Sequence, residues 1–235
     1  MRAVAAFLWL TFVASTASAQ TESEPEESVV ARIFWKGVEA LNLIFKAVGS
    51  LGGSPDAGEV WIVDLNDGSQ RRVGGTDLMW PVLAPDGDAI FAVRDGDVVR
   101  FGLSGGDEVP VENSADWRKL IGVMQDGSIL GIVEGSPRAR PALIKPSAEL
   151  ELLPAPETDE DRRNVSLLLQ QDRAYADDRA LLVRRSARGG RGFDVFLVTA
   201  PDRQRNLSDC GDERCGQPSL SPDGEKVLYV RATRR

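Results

Sequence analysis

Two segments containing Pro-Asp-Gly limit the possible folds of this chain more than any other sequence feature. Residues 217–230 read QPSLSPDGEKVLYV, and residues 81–93 read PVLAPDGDAIFAV. In both, a short apolar stretch precedes Pro-Asp-Gly and an alternating apolar stretch follows it. Asp-Gly between two apolar stretches predicts a β-hairpin, because a type I′ turn needs positive φ at both central positions. We therefore expect each segment to form two antiparallel strands joined by a tight turn.

Weaker copies of this unit recur along the chain. The turn aspartates Asp86, Asp126, Asp177 and Asp223 are separated by 40, 51 and 46 residues. Repeats of about 40–50 residues with four strands each are typical of β-propeller blades. With strands lettered A to D outward from the axis, the chain has the order CD, ABCD, ABCD, ABCD, AB. The sequence thus predicts an all-β fold over residues 58–231, a small propeller of four four-stranded blades.

The incomplete units at the two chain ends are complementary. If they form one blade, residues 227–230 pair antiparallel with residues 60–64 and neither strand keeps an open edge. The competing arrangement is an open arc that completes its ring with a second chain. In the third complete blade, we expect residues 165–169 to pair with residues 179–183.

Strand alternation also predicts two faces. The A–B and C–D turns share one face, and the B–C and D–A connections share the other. The longer connections at residues 184–192 and 208–216 fall on the second face, and function on such scaffolds commonly lies in the longer loops.

The repeat resembles the P-x-W-S-P-D-G-x-x-I-x-F motif of TolB-type β-propellers. Leu83 and Leu220 stand where that family usually has an aromatic residue. The resemblance covers the repeat unit over residues 58–231, not the whole architecture, since TolB has six blades and an N-terminal α/β domain. It implies partners such as peptidoglycan-associated lipoproteins.

The segment before the repeats has three parts. Residues 1–19 have Arg2, an apolar run and a final Ala-Ser-Ala, which is typical of a secretory signal peptide. Residues 20–28 are rich in glutamate and predict an acidic linker. Residues 29–48 predict an amphipathic helix, because apolar residues recur there at intervals of three and four. This stripe includes Phe34, Val38, Leu41 and Phe45.

Two interpretations of the helix stay open. Its apolar face either packs against the β domain or docks to a partner or the membrane interface. Membrane contact is expected only through this helix.

Composition excludes several classes of function. The formal net charge is −8, which disfavours nucleic acid as a partner. The chain has no histidine, which excludes an intrachain Ser-His-Asp or Cys-His catalytic site. We predict no catalytic residues, no metal site and no cofactor. Cys210 and Cys215 predict a disulfide in an exported protein, since the alternative, a redox pair, ordinarily has the C-x-x-C spacing.

A second candidate feature is the group of arginines in RRSARGGRG. Arginine side chains suit carboxylates and phosphates, and the glycines let backbone amides approach a ligand. The alternative is a solvated connection. The candidate interaction residues are Arg184, Arg185, Arg188 and Arg191.

The sequence therefore favours a periplasmic, non-catalytic binding protein that presents a loop face, with or without the helix, to another envelope protein. One alternative is a fragment or regulatory relative of the propeller domain of prolyl-oligopeptidase-type serine peptidases. The other is a propeller that binds a small ligand or metal in its central channel.

Overall fold

The computed structural model describes residues 56–135, 139–155, 158–159, 173–176, 179–185, 191–200 and 203–233. The predicted signal peptide, acidic linker and amphipathic helix at residues 1–48 lie outside the described residues. The described part is all-β. Its strands are β1 (Glu59–Asp64), β2 (Gln70–Arg72), β3 (Met79–Leu83), β4 (Ala89–Arg94), β5 (Asp97–Gly102), β6 (Val109–Pro110), β7 (Trp117–Val123), β8 (Ile129–Val133), β9 (Arg140–Ile144), β10 (Leu150–Leu152), β11 (Arg173–Ala176), β12 (Arg179–Arg185), β13 (Phe193–Ala200), β14 (Arg203–Asn206), β15 (Arg214–Leu220) and β16 (Lys226–Ala232).

The strands form four antiparallel units of four strands. Three of them follow the chain, namely β3 to β6, β7 to β10 and β11 to β14. The fourth combines both ends of the described chain in the order β15-β16-β1-β2. A single parallel pair, Phe193 with Arg214, connects the third unit to the fourth.

The strands at the two ends of the chain pair with each other, as the sequence predicts. In the antiparallel register of β1 and β16, Val60 lies opposite Val230 and Asp64 lies opposite Lys226. Because β16 also pairs with β15 and β1 with β2, neither strand leaves its backbone groups unpaired along an edge.

The core lies between successive units. Strand β4 shows why, since its five residues from Ala89 to Val93 are all buried. Side chains alternate between the two faces of a strand, so a fully buried run must be covered on both sides. Ile90 packs against the unit of the chain ends, and Phe91 packs against the unit β7 to β10. A third apolar cluster joins β12 and β13 to β15, β16 and β1.

The inner strands contact one another in the order β11, β15, β3 and β7. The return contact from β7 to β11, which would complete a four-blade ring, stays a prediction. Within the described residues, no helix has the length and apolar content needed to cross a membrane.

The predicted type I′ geometry of the Asp-Gly turns is wrong. Gly87 and Gly224 have positive φ, but Asp86 and Asp223 do not. The preceding proline holds its own φ near −65° and favours a type I turn, which the glycine then closes in the left-handed region. The aspartate accepts a hydrogen bond from the backbone N–H two residues later, 3.0 Å at Asp86 and 2.9 Å at Asp223.

A two-residue type I′ turn occurs at a different place, between β4 and β5. Asp95 has a φ of 51° and Gly96 a φ of 93°. No proline precedes this pair, and the strands continue directly into it.

The predicted first strand of the third blade is also wrong. β12 pairs with β11 at residues 173–176, not with the predicted residues 165–169, which lie outside the described residues. Ala176 lies opposite Arg179, so only two residues connect the strands. A short connection favours the nearest segment with suitable alternation over the more apolar run farther away.

Candidate functional site

One face of the protein carries the connections β4–β5, β8–β9, β12–β13, β2–β3, β6–β7 and β14–β15, and we call it the connection face. The opposite face, which carries the turns at Asp67, Asp86, Asp126 and Asp223, is the turn face. The described end of the connection at residues 184–192 lies beside the connection at residues 208–216 on the connection face, as predicted. The backbone N–H of Arg191 donates to the Asp212 carboxylate at 3.1 Å. The N–H of Phe193 donates to the carbonyl of Glu213, also at 3.1 Å.

The connection β14–β15 is held by the predicted disulfide. Cys210 and Cys215 are bonded, and both are buried in the core cluster beside β13. The fully buried carboxylate of Asp194 fixes the start of the loop, because it accepts hydrogen bonds from the Cys210 N–H at 2.6 Å and the Asn206 amide at 3.0 Å. The loop is therefore attached to the core by its disulfide and by Asp194.

The same loop contacts the two ends of the described chain. Glu213 forms an ion pair with Arg231 of β16, and Arg214 forms one with Asp56 at 2.7 Å. Gly192 lies so close to this loop that a Cβ at this position would be 2.1 Å from the Glu213 carbonyl oxygen. The connection face is thus a packed surface around the disulfide.

Of the predicted arginine group, the structure describes the side chains of Arg184 and Arg191. The Arg184 guanidinium donates to the Gln204 side chain on β14 at 2.7 Å, while Arg191 is exposed beside the disulfide loop. Arg188 and the side chain of Arg185 lie outside the described residues. The candidate residues of the helix lie outside them too, namely Phe34, Val38, Leu41 and Phe45.

A cleft of about 900 Å³ opens on the connection face where β3, β4 and β7 meet. We call it the tryptophan cleft. Its volume falls in the range of roughly 300–1,000 Å³ that is typical of ligand sites. The residues that define it are Met79, Trp80, Arg94, Asp95, Trp117 and Arg118.

The backbone around the tryptophan cleft is unusual. Trp80 has a φ of 51°, and Asp77, Asp95 and Asp116 also have positive φ. Aspartate tolerates this conformation, but a bulky residue such as tryptophan rarely adopts it. Backbone strain of this kind persists only where the surrounding structure enforces it. Here the N–H of Trp80 is held at 2.6 Å by the side chain of Gln217.

Trp80 and Trp117 both line the cleft, and both are buried. Trp80 lies under the ammonium group of Lys119, which is 4.0 Å from the ring centroid. Trp117 is only 2% exposed, and its benzo edge lies against Gly131, where a Cβ would be 2.5 Å from Cζ3. Among the described residues, nothing accepts a hydrogen bond from the buried Nε1 of Trp117.

The charged residues that line the cleft are Asp77, Asp95, Arg94 and Arg118. Arg94 pairs with Glu108 and donates to the Thr76 carbonyl at 3.1 Å. Arg118 pairs with Glu134. Both guanidinium groups that line the cleft therefore already have a carboxylate partner. Asp95 is exposed, and so are the nearby residues Asp77 and Asp116.

A second cleft of about 800 Å³ lies on the turn face, lined in part by Arg203, Arg205, Asp223 and Glu225. The hydrogen bond from the Ser221 hydroxyl, followed by that from the Glu225 N–H, lowers the pKa of Asp223 below its usual value. This aspartate belongs to the turn itself. Because the second cleft lies on the opposite face and has similar charged groups, it serves as a control site for substitutions in the tryptophan cleft.

The sequence pattern does not identify the tryptophan cleft. Trp80 and Trp117 lie near the starts of two inner strands and are 37 residues apart, slightly less than the 40 residues between Asp86 and Asp126. That spacing can be read from the sequence, but it does not show that these two residues line a cleft. In the part of the chain that the structure describes, no group of three or more Cys, Asp or Glu residues is arranged to hold a metal ion.

Comparison with known proteins gives weak similarities only. No protein-family model matches the sequence, and no curated protein matches it. Among solved structures, a candidate TolB from Agrobacterium tumefaciens is 16% identical, with 73% of this chain and 60% of that chain covered and a TM-score of 0.38. An acylaminoacyl peptidase in complex with Z-Gly-Gly-Phe-chloromethyl ketone is 15% identical, with 75% and 32% covered and a TM-score of 0.31.

A third similar structure is the β-propeller domain of the Trilobed protease from Pyrococcus furiosus. It is 10% identical, with 79% of this chain and 80% of that domain covered and a TM-score of 0.28. The chain spans less than two thirds of the TolB structure and about a third of the peptidase. TM-scores this low carry no argument about function, so a functional conclusion must rest on the four-stranded units and the clefts of this chain itself.

Proposed function

We propose that this protein is an exported, non-catalytic binding protein of the periplasm that presents its connection face to another envelope protein. In this proposal its four units close into a four-blade propeller through the terminal strands. The disulfide fits an oxidising compartment. The pairing of β1 with β16 supplies the contact that such a closure needs.

One observation carries the proposal, namely that the connection face combines a disulfide-bonded connection with an open cleft. The disulfide, the buried Asp194 and the contact at Gly192 attach the β14–β15 connection to the core. The tryptophan cleft opens on the same face. Binding surfaces are commonly formed by loops that a rigid scaffold positions, and a preformed surface lowers the entropic cost of association.

The test is affinity capture of envelope proteins with the full chain expressed in the periplasm. Arg118 and Arg203 are both exposed and line the clefts on opposite faces, so Arg118→Glu and Arg203→Glu make the same change in charge. We expect the wild type and Arg203→Glu to capture the same envelope protein. Arg118→Glu should fail to capture it. Capture that is equal for both variants, or no captured protein, would contradict the proposal.

Export is tested separately by the intact mass of the periplasmic protein, which should correspond to a chain beginning at Gln20. A cytosolic pool that retains Met1 would overturn the location. Capture with a chain that lacks residues 29–48 tests whether the predicted amphipathic helix contributes to the contact.

A further inference from the structure

We infer that the predicted amphipathic helix at residues 29–48 docks over the tryptophan cleft of its own chain, with Leu41 and Phe45 facing Met79. This segment precedes the described residues, and the chain enters them at the edge of that cleft. The inference deepens the proposed function and rests on it in one respect, namely that a helix in this position covers the surface that the proposal assigns to the partner. The helix is then an autoinhibitory element that the partner must displace.

The described chain begins beside the tryptophan cleft. Asp56 is held there by two contacts, since the Gln217 amide donates to its carbonyl at 2.8 Å and Arg214 pairs with its carboxylate at 2.7 Å. The next residue, Ala57, is exposed and lines the cleft. The point from which the preceding chain extends is therefore attached to the rim of this opening.

The connection between this point and the predicted helix is short. It consists of residues 49–55, with the sequence GSLGGSP, and seven residues span at most about 25 Å even when fully extended. A short linker rich in glycine and serine holds a tethered segment at an effective concentration in the millimolar range. A contact too weak to persist between separate molecules can therefore form within this chain.

The predicted helix needs a surface that covers its apolar stripe. Leu41 and Phe45 lie one helical turn apart on this stripe, and each apolar side chain that leaves water favours docking in proportion to its buried area. The cleft is open and has a volume of about 900 Å³, and Met79 in its lining is only partly buried. It therefore has room for side chains that project from a helix.

The charges of the two surfaces are also complementary. Residues 29–48 contain three basic residues and one acidic residue, so their formal net charge is +2. Asp77 and Asp95 line the cleft, and the two arginines in its lining, Arg94 and Arg118, are each paired with a glutamate. A cationic helix is thus attracted to this surface, although most of the chain is acidic.

The experiment uses the mature chain that begins at Gln20 and its two methionines. Met79 lines the tryptophan cleft, whereas Met124 is exposed beside the β7–β8 turn on the opposite face. Dilute hydrogen peroxide oxidises accessible methionine to the sulfoxide, and peptide mass spectrometry follows each residue separately. A docked helix should protect Met79 and leave Met124 reactive.

The variant Leu41→Ser/Phe45→Ser removes the apolar contact. We expect Met79 to be oxidised about fivefold faster in this variant than in the wild type, because the tethered helix no longer stays docked. The matched control Lys36→Ser/Glu39→Ser changes the opposite side of the predicted helix, and both variants keep the net charge. In the control, Met79 should react as in the wild type, and Met124 should react equally in all three proteins.

Two results would overturn the docking. The first is an unchanged rate at Met79 in Leu41→Ser/Phe45→Ser, and the second is an equal increase in the control variant. Because this measurement needs no partner, its outcome does not depend on whether an envelope protein binds. The docking and the proposed function can therefore fail independently.

The autoinhibitory role is tested by capture of the envelope protein. Leu41→Ser/Phe45→Ser should capture more of it than the wild type does, because the partner no longer has to displace the helix. Equal or weaker capture by this variant would show that the helix does not compete with the partner, which would overturn the autoinhibitory role.

Discussion

The side-chain oxygen Oε1 of Gln217 accepts a hydrogen bond of 2.6 Å from the backbone N–H of Trp80. The two residues lie in β15 and β3, and each precedes a proline and has positive φ. The amide nitrogen of Gln217 donates to the Asp56 carbonyl at 2.8 Å. One buried side chain therefore connects two inner strands to the start of the described chain.

We predict that Gln217→Ala destabilises the fold by about 2–4 kcal/mol. It leaves the buried N–H of Trp80 without its partner, at about 1–3 kcal/mol, and the partly buried carbonyl of Asp56 without its donor, at about 1 kcal/mol. Urea denaturation of the two proteins measures the difference. The control is Gln204→Ala on exposed β14, which should change stability by no more than about 0.5 kcal/mol. Equal effects of the two substitutions would show that the Gln217 contacts contribute little.

Gly192→Ala should disturb the disulfide loop. The new Cβ would lie 2.1 Å from the Glu213 carbonyl oxygen and 2.4 Å from that of Gly211, and both are backbone atoms that cannot move alone. We expect a loss of about 1–3 kcal/mol and faster amide exchange in the β14–β15 connection. Gly122→Ala is the matched control, because nothing lies within 4 Å of its new Cβ. Similar exchange in the two variants would contradict this explanation.

Stability should fall in alkaline solution because of Tyr229. Burial raises the pKa of this phenol to about 12, from 10.0 in an exposed tyrosine. Because the folded-state pKa is the higher one, the contribution of the protonated phenol is complete below pH 10 and is lost as the pH rises through about 12. The loss is about 3 kcal/mol.

Urea denaturation across this pH range checks the expectation. Tyr229→Phe should remove most of the decline, whereas Tyr175→Phe, which removes the other tyrosine of the chain, should keep it. A decline of the same size in Tyr229→Phe would assign the effect to other groups.

Deletion of residues 217–235 should prevent folding as a monomer. It removes β16, the partner of β1, together with the buried side chains Val227, Leu228, Tyr229 and Val230. Burial of each aliphatic side chain contributes roughly 1.5–3 kcal/mol, so the loss is comparable to the whole stability of a domain, about 5–15 kcal/mol. The exposed edge of β1 would then favour association.

Light scattering after size-exclusion chromatography measures the outcome of this deletion. A synthetic peptide of residues 217–235 should restore the monomer when it is added during refolding. A truncated chain that stays monomeric and unfolds cooperatively without the peptide would show that pairing of the chain ends is dispensable.

Local sequence patterns account for most turns and strands of this chain. The turns at Asp86, Asp126 and Asp223 form where Pro-Asp-Gly or its weaker copy predicts them, because the aspartate bonds the N–H two residues later and glycine accepts positive φ. The alternating stretches around them become strands. Even the pairing of β1 with β16 followed from the sequence, since complementary incomplete units leave few other partners.

The contacts between units depend on how the sheets pack in three dimensions. The choice of β11 at residues 173–176 depended on a two-residue connection rather than on apolar content. The bond from Trp80 to Gln217 joins residues 137 positions apart, and Trp117 lines a cleft with Trp80 because two units pack face to face. Local preference extends over a few residues, whereas these positions depend on how whole sheets pack, and that information is not contained in any single segment of the sequence.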